Sequence, residues 1–201
     1  DRVGKYIPEL QGTQKDKIIV RQLLNHTSGI PDYINDFPLL FRIKSWLGWK
    51  PAHNVLLRFI TEKSLEFKPG AQFNYSNSGY FLLAEIVERV TGEKFEGFVE
   101  NRILNPLKLS HTGFEYFNEV EMAATGYGGK FYHRKDIKNL HPNLIFGMGG
   151  MYSTTEDIFH WVRGMTTGKL LSDSISKQVF DPGFFRYGFG WDVGNQYGER
   201  T

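Results

Sequence analysis

The segment FKPGAQFNYSNSGYFLLAEIVERVTG, residues 67–92, constrains the possible folds of this chain strongly, because it predicts both ends and one face of a long helix. Its apolar side chains recur at the spacing of a helical face: Tyr80, Leu83, Ala84, Val87 and Val90. The Pro-Gly turn at 69–70 precedes this pattern, and Gly92 supplies a common C-terminal stop. The sequence therefore predicts an amphipathic helix that packs against a protein core.

Three hydrogen-bonding side chains, Tyr75, Ser76 and Asn77, lie at the start of this helix. Serine and asparagine are favoured helix caps, which would explain Ser76 or Asn77 but not the adjacent phenol. A phenol ordinarily titrates near pH 10, and a helix N-terminus favours an anion by only about 0.3–1 kcal/mol. A tyrosine that acts as a base at this position would therefore need cations from elsewhere. We interpret the cluster as a helix start that also carries a functional tyrosine.

Helical patterns dominate the rest of the chain. Further short apolar faces lie in residues 20–24, 55–60, 95–103, 158–165 and 175–179. The run Ser153-Thr154-Thr155-Glu156 is typical of a capping box before the fourth of these. Strands are predicted near Phe131 and over Tyr187–Val193, where apolar residues alternate. The sequence predicts a single domain over residues 1–201, of α+β class and predominantly helical.

Composition excludes several classes of function. The formal net charge of +2 is too small for a nucleic-acid-binding field, and the absence of cysteine rules out disulfides and thiol chemistry. None of the six histidines has the spacing of a helical metal site, and His26 is expected to form hydrogen bonds within a loop. No apolar run is long enough to span a membrane. We therefore expect no cofactor, no metal, no nucleic-acid partner and no membrane span in this segment.

Four segments in order resemble one family of enzymes. They are VRQLLNHTSGIPDY, the helix segment at 67–92, ILNPLKLSHTGF and GMGGMYSTTEDIFHWV. Together they resemble the class C β-lactamase and penicillin-binding-protein family of active-site serine hydrolases, and the resemblance extends from Asp1 to Val193. It implies the helical domain of the serine β-lactamase/DD-peptidase fold, with a few short strands and most of the central antiparallel sheet missing.

The same resemblance implies roles for particular residues. The family combines a Ser-x-x-Lys nucleophile, a Tyr-x-Asn loop and a Lys/His-x-Gly strand. Tyr75 and Asn77 match the loop, so Tyr75 would relay protons as a catalytic residue and Asn77 would hydrogen-bond the substrate amide. Asp32 and Tyr33 match a region that borders the substrate cleft and are predicted to bind substrate.

Two other segments have the residue pattern of the nucleophile motif and of the third motif, but they lie in a different sequence context. Ser174-Ile175-Ser176-Lys177 follows the tyrosine loop, whereas the family's nucleophile precedes it, and His111-Thr112-Gly113 resembles a structural turn. The resemblance therefore implies that the nucleophile lies before Asp1 and the third motif after Thr201. On this interpretation the chain is an internal fragment that is inactive by itself.

The parent protein is accordingly expected to hydrolyse a small-molecule or peptide substrate, namely a β-lactam, a D-Ala-D-Ala-like peptide or an ester, through an acyl-enzyme. Two alternatives stay open: a non-catalytic relative that binds or scaffolds, and a helical interaction domain without a cleft. The resemblance also implies a location outside the cytoplasm. An apolar face left uncovered would favour a homo-oligomer.

Overall fold

The computed structural model describes residues 1–36, 52–114, 124, 127–128, 135–136, 142–183 and 185–193. Three 3₁₀-helices, Val3–Lys5, Pro8–Leu10 and Gln14–Lys17, open the chain. The α-helices are α1 Val20–Leu24, α2 Tyr33–Asp36, α3 His53–Glu62, α4 Asn77–Thr91, α5 Phe95–Val99, α6 Asn105–Leu107, α7 Pro142–Ile145, α8 Thr155–Thr166 and α9 Asp173–Val179. A π-helical segment, Glu100–Leu104, joins α5 to α6.

Strands are few and short: β1 Gly113–Phe114, β2 Tyr127–Gly128, β3 Lys135–Asp136 and β4 Met151–Tyr152. β1 pairs antiparallel with β4, and β2 pairs antiparallel with β3. The predominantly helical α+β class predicted from the sequence is thus confirmed.

The strand predicted over Tyr187–Val193 is wrong. Tyr187 and Asp192 instead form one isolated bridge, and the chain reverses between them at Gly190, whose φ is +80°. The alternating aromatic residues that suggested a strand lie in this reversal, where the structure pairs them with no other strand of the described residues. The strand predicted near Phe131 lies outside the described residues.

The helix predicted from the opening segment is α4, and its ends follow the sequence. Ser76 is the extended residue before it, and Gly92 ends it with φ +72° while its N–H donates to the Glu88 carbonyl at 2.8 Å. The Ser76 side chain forms no capping hydrogen bond, so capping does not account for this serine. At α8 the cap is Thr154, whose hydroxyl accepts the Asp157 N–H at 3.2 Å, one residue later than the predicted Ser153.

The main core takes chiefly residues of α4 outside the predicted face, although Ala84 of that face is also buried. The main core contains Phe81, Leu82 and Ile86 of α4, packed against Leu23, Ile30, Tyr33, Leu56, Ile60 and the apolar residues of the first 3₁₀-helices. The predicted face, which includes Leu83 and Val87, lines an apolar cavity of about 520 Å³ between α4 and α8. A helix that is apolar on two sides contacts apolar surroundings on both, and periodicity alone ranks neither side first.

A chain of hydrogen bonds and ion pairs joins α4 to the N-terminal segment and α3. The buried Glu85 carboxylate lies 2.6 Å from both His53 Nε2 and Arg89 Nε, and Arg89 also forms a pair of 2.9 Å hydrogen bonds with Glu9. Hydrogen bonding to His53, with a further contribution from Arg89, holds the pKa of Glu85 below its ordinary value, although burial acts in the opposite direction. These contacts hold the C-terminal half of α4 against the N-terminal segment and α3.

This network makes a prediction about acid stability. Because the folded-state pKa of Glu85 is lowered from 4.5, its stabilisation is present above that pH and is lost as the pH falls through the folded-state pKa. Glu85→Gln should therefore lower stability at pH 7 and flatten the decline in stability as the pH falls below 4.5. Urea unfolding of the intact protein at several pH values measures this. Glu62→Gln, at an exposed surface pair, is the matched control. Parallel curves for Glu85→Gln and wild type would contradict the prediction.

Candidate active site

The segment Tyr75-Ser76-Asn77 presents alternate side chains to opposite sides. Ser76 is extended, with φ −140° and ψ 111°, and an extended residue directs the side chains before and after it to the side opposite its own. Ser76 is accordingly buried at 2% exposure, whereas Tyr75 is 50% exposed and Asn77 is partly exposed. The backbone thus places the phenol and the amide two residues apart on one accessible side.

A buried carboxylate orients the Asn77 amide. Asn77 Nδ2 donates to Asp32 Oδ2 at 2.8 Å, and Asp32 Oδ1 accepts the Ile34 N–H at 2.9 Å at the start of α2. A carboxylate can only accept, so the NH₂ group of Asn77 must point at Asp32, and its carbonyl oxygen is left as an acceptor. Both oxygens of the buried Asp32 are used within the protein. In this structure the Asp32 carboxylate therefore orients Asn77, and the predicted contact of Asp32 with substrate stays a prediction.

Tyr33 lies in the main core. Its side chain is 1% exposed, and its hydroxyl donates to the Leu144 carbonyl while its own N–H donates to Ser78 Oγ at 2.9 Å. Burial raises the pKa of the Tyr33 phenol well above its ordinary value. These contacts argue against the predicted substrate contact by this ring and assign Tyr33 to the support of α4. The sequence placed it beside Asp32 but carried no signal for which way the ring points.

Three tyrosines surround His26, and they differ in exposure. Burial raises the pKa of both Tyr80 and Tyr187, and the Tyr80 hydroxyl donates to the Leu24 carbonyl at 2.9 Å. Tyr75 is the half-exposed one, and within the described part of the chain its hydroxyl has no hydrogen-bond partner. Of the three phenols, that of Tyr75 is available to exchange a proton with an incoming group.

His26 is a functional candidate that the sequence analysis did not single out. It was expected to bond within its own loop, but its Nδ1 accepts the Ser76 N–H at 3.1 Å, fifty residues away. Its ring lies 4.2 Å from that of Tyr75, centroid to centroid. No spacing in the sequence joins residue 26 to residue 75, so only the folded chain reveals the contact.

The two look-alike motifs lie in structural surroundings. Ser174 and Lys177 are exposed on the short helix α9. Thr112 Oγ1 donates to Asp157 Oδ2 at 2.8 Å, and the same oxygen accepts the His111 N–H at 2.8 Å, which ties this turn to the first turn of α8. Neither motif contributes a side chain to the Tyr75–Asn77 surface in these contacts.

Across the described residues, no three histidine, aspartate or glutamate side chains converge as a metal site would require. Among the same residues, none of the helices combines the length and apolarity needed to cross a bilayer.

Comparisons with known proteins agree on one family. A family model described as Beta-lactamase matches residues 1–201. The putative penicillin-binding protein PbpX of Bacillus subtilis (strain 168) is 29% identical over 197 residues, which cover 96% of this chain and 46% of that protein. The chain thus spans less than half the length of this curated relative.

Solved structures show the same fold. A D-stereospecific amidohydrolase from Streptomyces sp. superposes with a TM-score of 0.77 at 30% identity, covering 94% of this chain and 62% of that one. An octameric penicillin-binding protein homologue from Pyrococcus abyssi superposes with a TM-score of 0.71 at 23% identity, covering 94% and 46%.

Proposed function

Because this chain belongs to the Beta-lactamase family, we propose that the intact protein is a serine hydrolase that cleaves amide or ester bonds through an acyl-enzyme. The observation that carries the proposal is the joint presentation of the Tyr75 phenol and the Asn77 amide on one accessible side, with the residue between them buried. A helix cap alone would not require this arrangement.

In this proposal each described residue has a distinct role. Tyr75 is the proton relay, and the side-chain oxygen of Asn77 accepts a hydrogen bond from the substrate amide. Asp32 holds the Asn77 side chain in the orientation that this requires. Tyr33 contributes through packing beneath α4 rather than through substrate contact. The nucleophilic serine and its lysine are supplied by sequence outside residues 1–201.

The proposed reaction has two steps, formation of the acyl-enzyme and its hydrolysis. The serine oxygen attacks the carbonyl carbon while its proton passes to the phenolate oxygen of Tyr75, and the C–N or C–O bond then breaks as the resulting Tyr75 hydroxyl protonates the leaving group. Water next attacks the acyl-enzyme, giving its proton to the same tyrosine oxygen, which returns a proton to the serine. Backbone N–H groups stabilise the negative oxygen in both steps.

Amides of D-amino acids are the first substrate class to test, alongside β-lactams and simple esters. The support is the 30% identity and similar fold of the D-stereospecific amidohydrolase. We also propose a location outside the cytoplasm. We further propose a homo-oligomer, since a structurally similar penicillin-binding protein homologue is octameric.

Covalent labelling of the intact protein tests the proposed function. A fluorophosphonate probe and a fluorescent penicillin should each label one serine per chain, at a site that peptide mapping places outside residues 1–201. The 201-residue chain alone should take no label. Labelling mapped to Ser174, or to any other serine within residues 1–201, would contradict the assignment. Absence of labelling and of hydrolysis of p-nitrophenyl esters and D-amino acid amides would favour a non-catalytic binding protein.

A further inference from the structure

His26 lies against the segment that carries Tyr75 and contacts it in three ways. Its carbonyl accepts the Asn74 N–H at 3.0 Å, and its Nδ1 accepts the Ser76 N–H at 3.1 Å. Its ring also packs against that of Tyr75, tilted by 33° with 4.2 Å between centroids. The backbone on both sides of Tyr75 and one face of its ring are therefore held by a single residue.

The backbone of His26 adopts a conformation that most side chains avoid. Its φ is +56°, in the left-handed region, which residues with a Cβ seldom adopt. The ring is 1% exposed and is enclosed by Phe73, Tyr80 and Tyr187 at 5.9, 5.1 and 4.8 Å between centroids. A strained backbone conformation persists where surrounding contacts determine the position of the residue. For His26 those contacts include the ring of Tyr75.

The His26 ring acts through geometry and not through charge. Burial lowers its pKa to about 4, and Nδ1 can accept the Ser76 N–H only while it is unprotonated. At neutral pH the proton of the ring is therefore on Nε2, and the ring adds no cation beside the phenol. A planar, neutral ring in this position restricts the Tyr75 side chain to the orientations compatible with stacking.

We propose that His26 is a positioning residue for the hydrolytic reaction, which fixes the Tyr75 phenol in the orientation needed for proton relay by stacking on its ring and bonding the amide of Ser76. This inference rests on the proposed function of Tyr75. It adds a residue from the loop after α1 to the Tyr75–Asn77 site. Because misplacement of a reacting group by about 1 Å can cost roughly 100-fold in rate, the effect on turnover should be large.

Two substitutions separate the two contacts. His26→Asn tolerates the left-handed backbone and offers a side-chain oxygen to the Ser76 N–H, but it removes the stacked ring. His26→Phe keeps a ring against Tyr75 but cannot accept the Ser76 N–H. In the intact protein each should lower the rate constant of fluorophosphonate labelling by about 10- to 100-fold, with p-nitrophenyl ester KM changed less than twofold.

A double-variant comparison distinguishes positioning from general destabilisation. If His26 acts through Tyr75, His26→Asn should cause little further loss in a protein that already carries Tyr75→Phe. Leu57→Ala is the control, because it removes buried contacts in α3 and should lower thermal stability while leaving the labelling rate unchanged in the folded protein. If His26→Phe fails to fold, His26→Asn decides the question alone.

The outcomes separate this inference from the proposed function. A His26→Asn labelling rate within twofold of wild type, or a full multiplicative loss on top of Tyr75→Phe, would overturn the role of His26 and leave that of Tyr75 intact. A Tyr75→Phe protein with wild-type labelling would instead overturn the proposed relay itself. Loss of rate in His26→Asn, abolished in the Tyr75→Phe background, is the expected result.

Discussion

Tyr75→Phe in the intact protein is expected to lower turnover by about 10²- to 10⁴-fold, the usual contribution of a positioned general acid–base group. The change removes one oxygen and keeps the ring, so stacking on His26 at 4.2 Å persists. The hydroxyl belongs to a half-exposed side chain, and its loss leaves no described buried group without a partner. Thermal stability and KM should therefore change little while the chemical step slows.

The measurement is the hydrolysis rate of p-nitrophenyl esters and D-amino acid amides, together with the rate of fluorophosphonate labelling. Tyr6→Phe is the matched control, since the Tyr6 hydroxyl bonds to the exposed Asp1 at the surface. That variant should hydrolyse at the wild-type rate. A Tyr75→Phe enzyme that keeps wild-type turnover would remove Tyr75 from the mechanism.

Gly29→Ala is expected to lower the free energy of unfolding by about 2–5 kcal/mol, the sum of a left-handed backbone penalty of about 1–2 and a packing penalty of about 1–3. Gly29 has φ +77°, and a Cβ there would lie 2.3 Å from the Phe67 carbonyl oxygen. A backbone atom cannot move aside as a flexible side chain can. The Gly29 carbonyl also accepts the Glu66 N–H at 2.9 Å, so the strain reaches both segments.

Gly92→Ala is the matched control for this prediction. Gly92 has a similar φ of +72°, but no described residue other than its immediate chain neighbours places an atom within 4 Å of the position of its absent Cβ. Gly92→Ala should therefore lower the free energy of unfolding only by the left-handed backbone penalty, about 1–2 kcal/mol. Urea unfolding of both variants in the intact protein, followed by tryptophan fluorescence, compares them. Equal losses would show that the contact with Phe67 does not contribute.

Local sequence signals were sufficient to predict α4 and its termini. The end at Gly92 depends on a residue that adopts a left-handed conformation without a Cβ, and the start depends on a turn a few residues earlier. Both effects act within one or two turns of chain, so they can be inferred without knowledge of the fold. The same holds for the short helix α1, which ends before the left-handed His26.

Sequence spacing was less informative about which face of α4 enters the main core. This helix has two apolar faces, and the arrangement of the surrounding helices decides which of them packs in the main core. The neighbours Asp32 and Tyr33 show the same limit, since one carboxylate orients Asn77 and the adjacent ring packs in the core. Adjacent positions can have opposite surroundings when a helix begins between them.

The sequence by itself determined the mostly helical class, the ends of α4 and the Tyr75-x-Asn77 pattern with its family resemblance, because each depends on residue type and short spacing. Only the tertiary structure decided that Ser76 is buried between two accessible neighbours, that Asp32 orients Asn77, and that His26 stacks on Tyr75. Those relations join residues 45 to 50 positions apart in the chain. They arise when several helices pack together, and no local propensity encodes them.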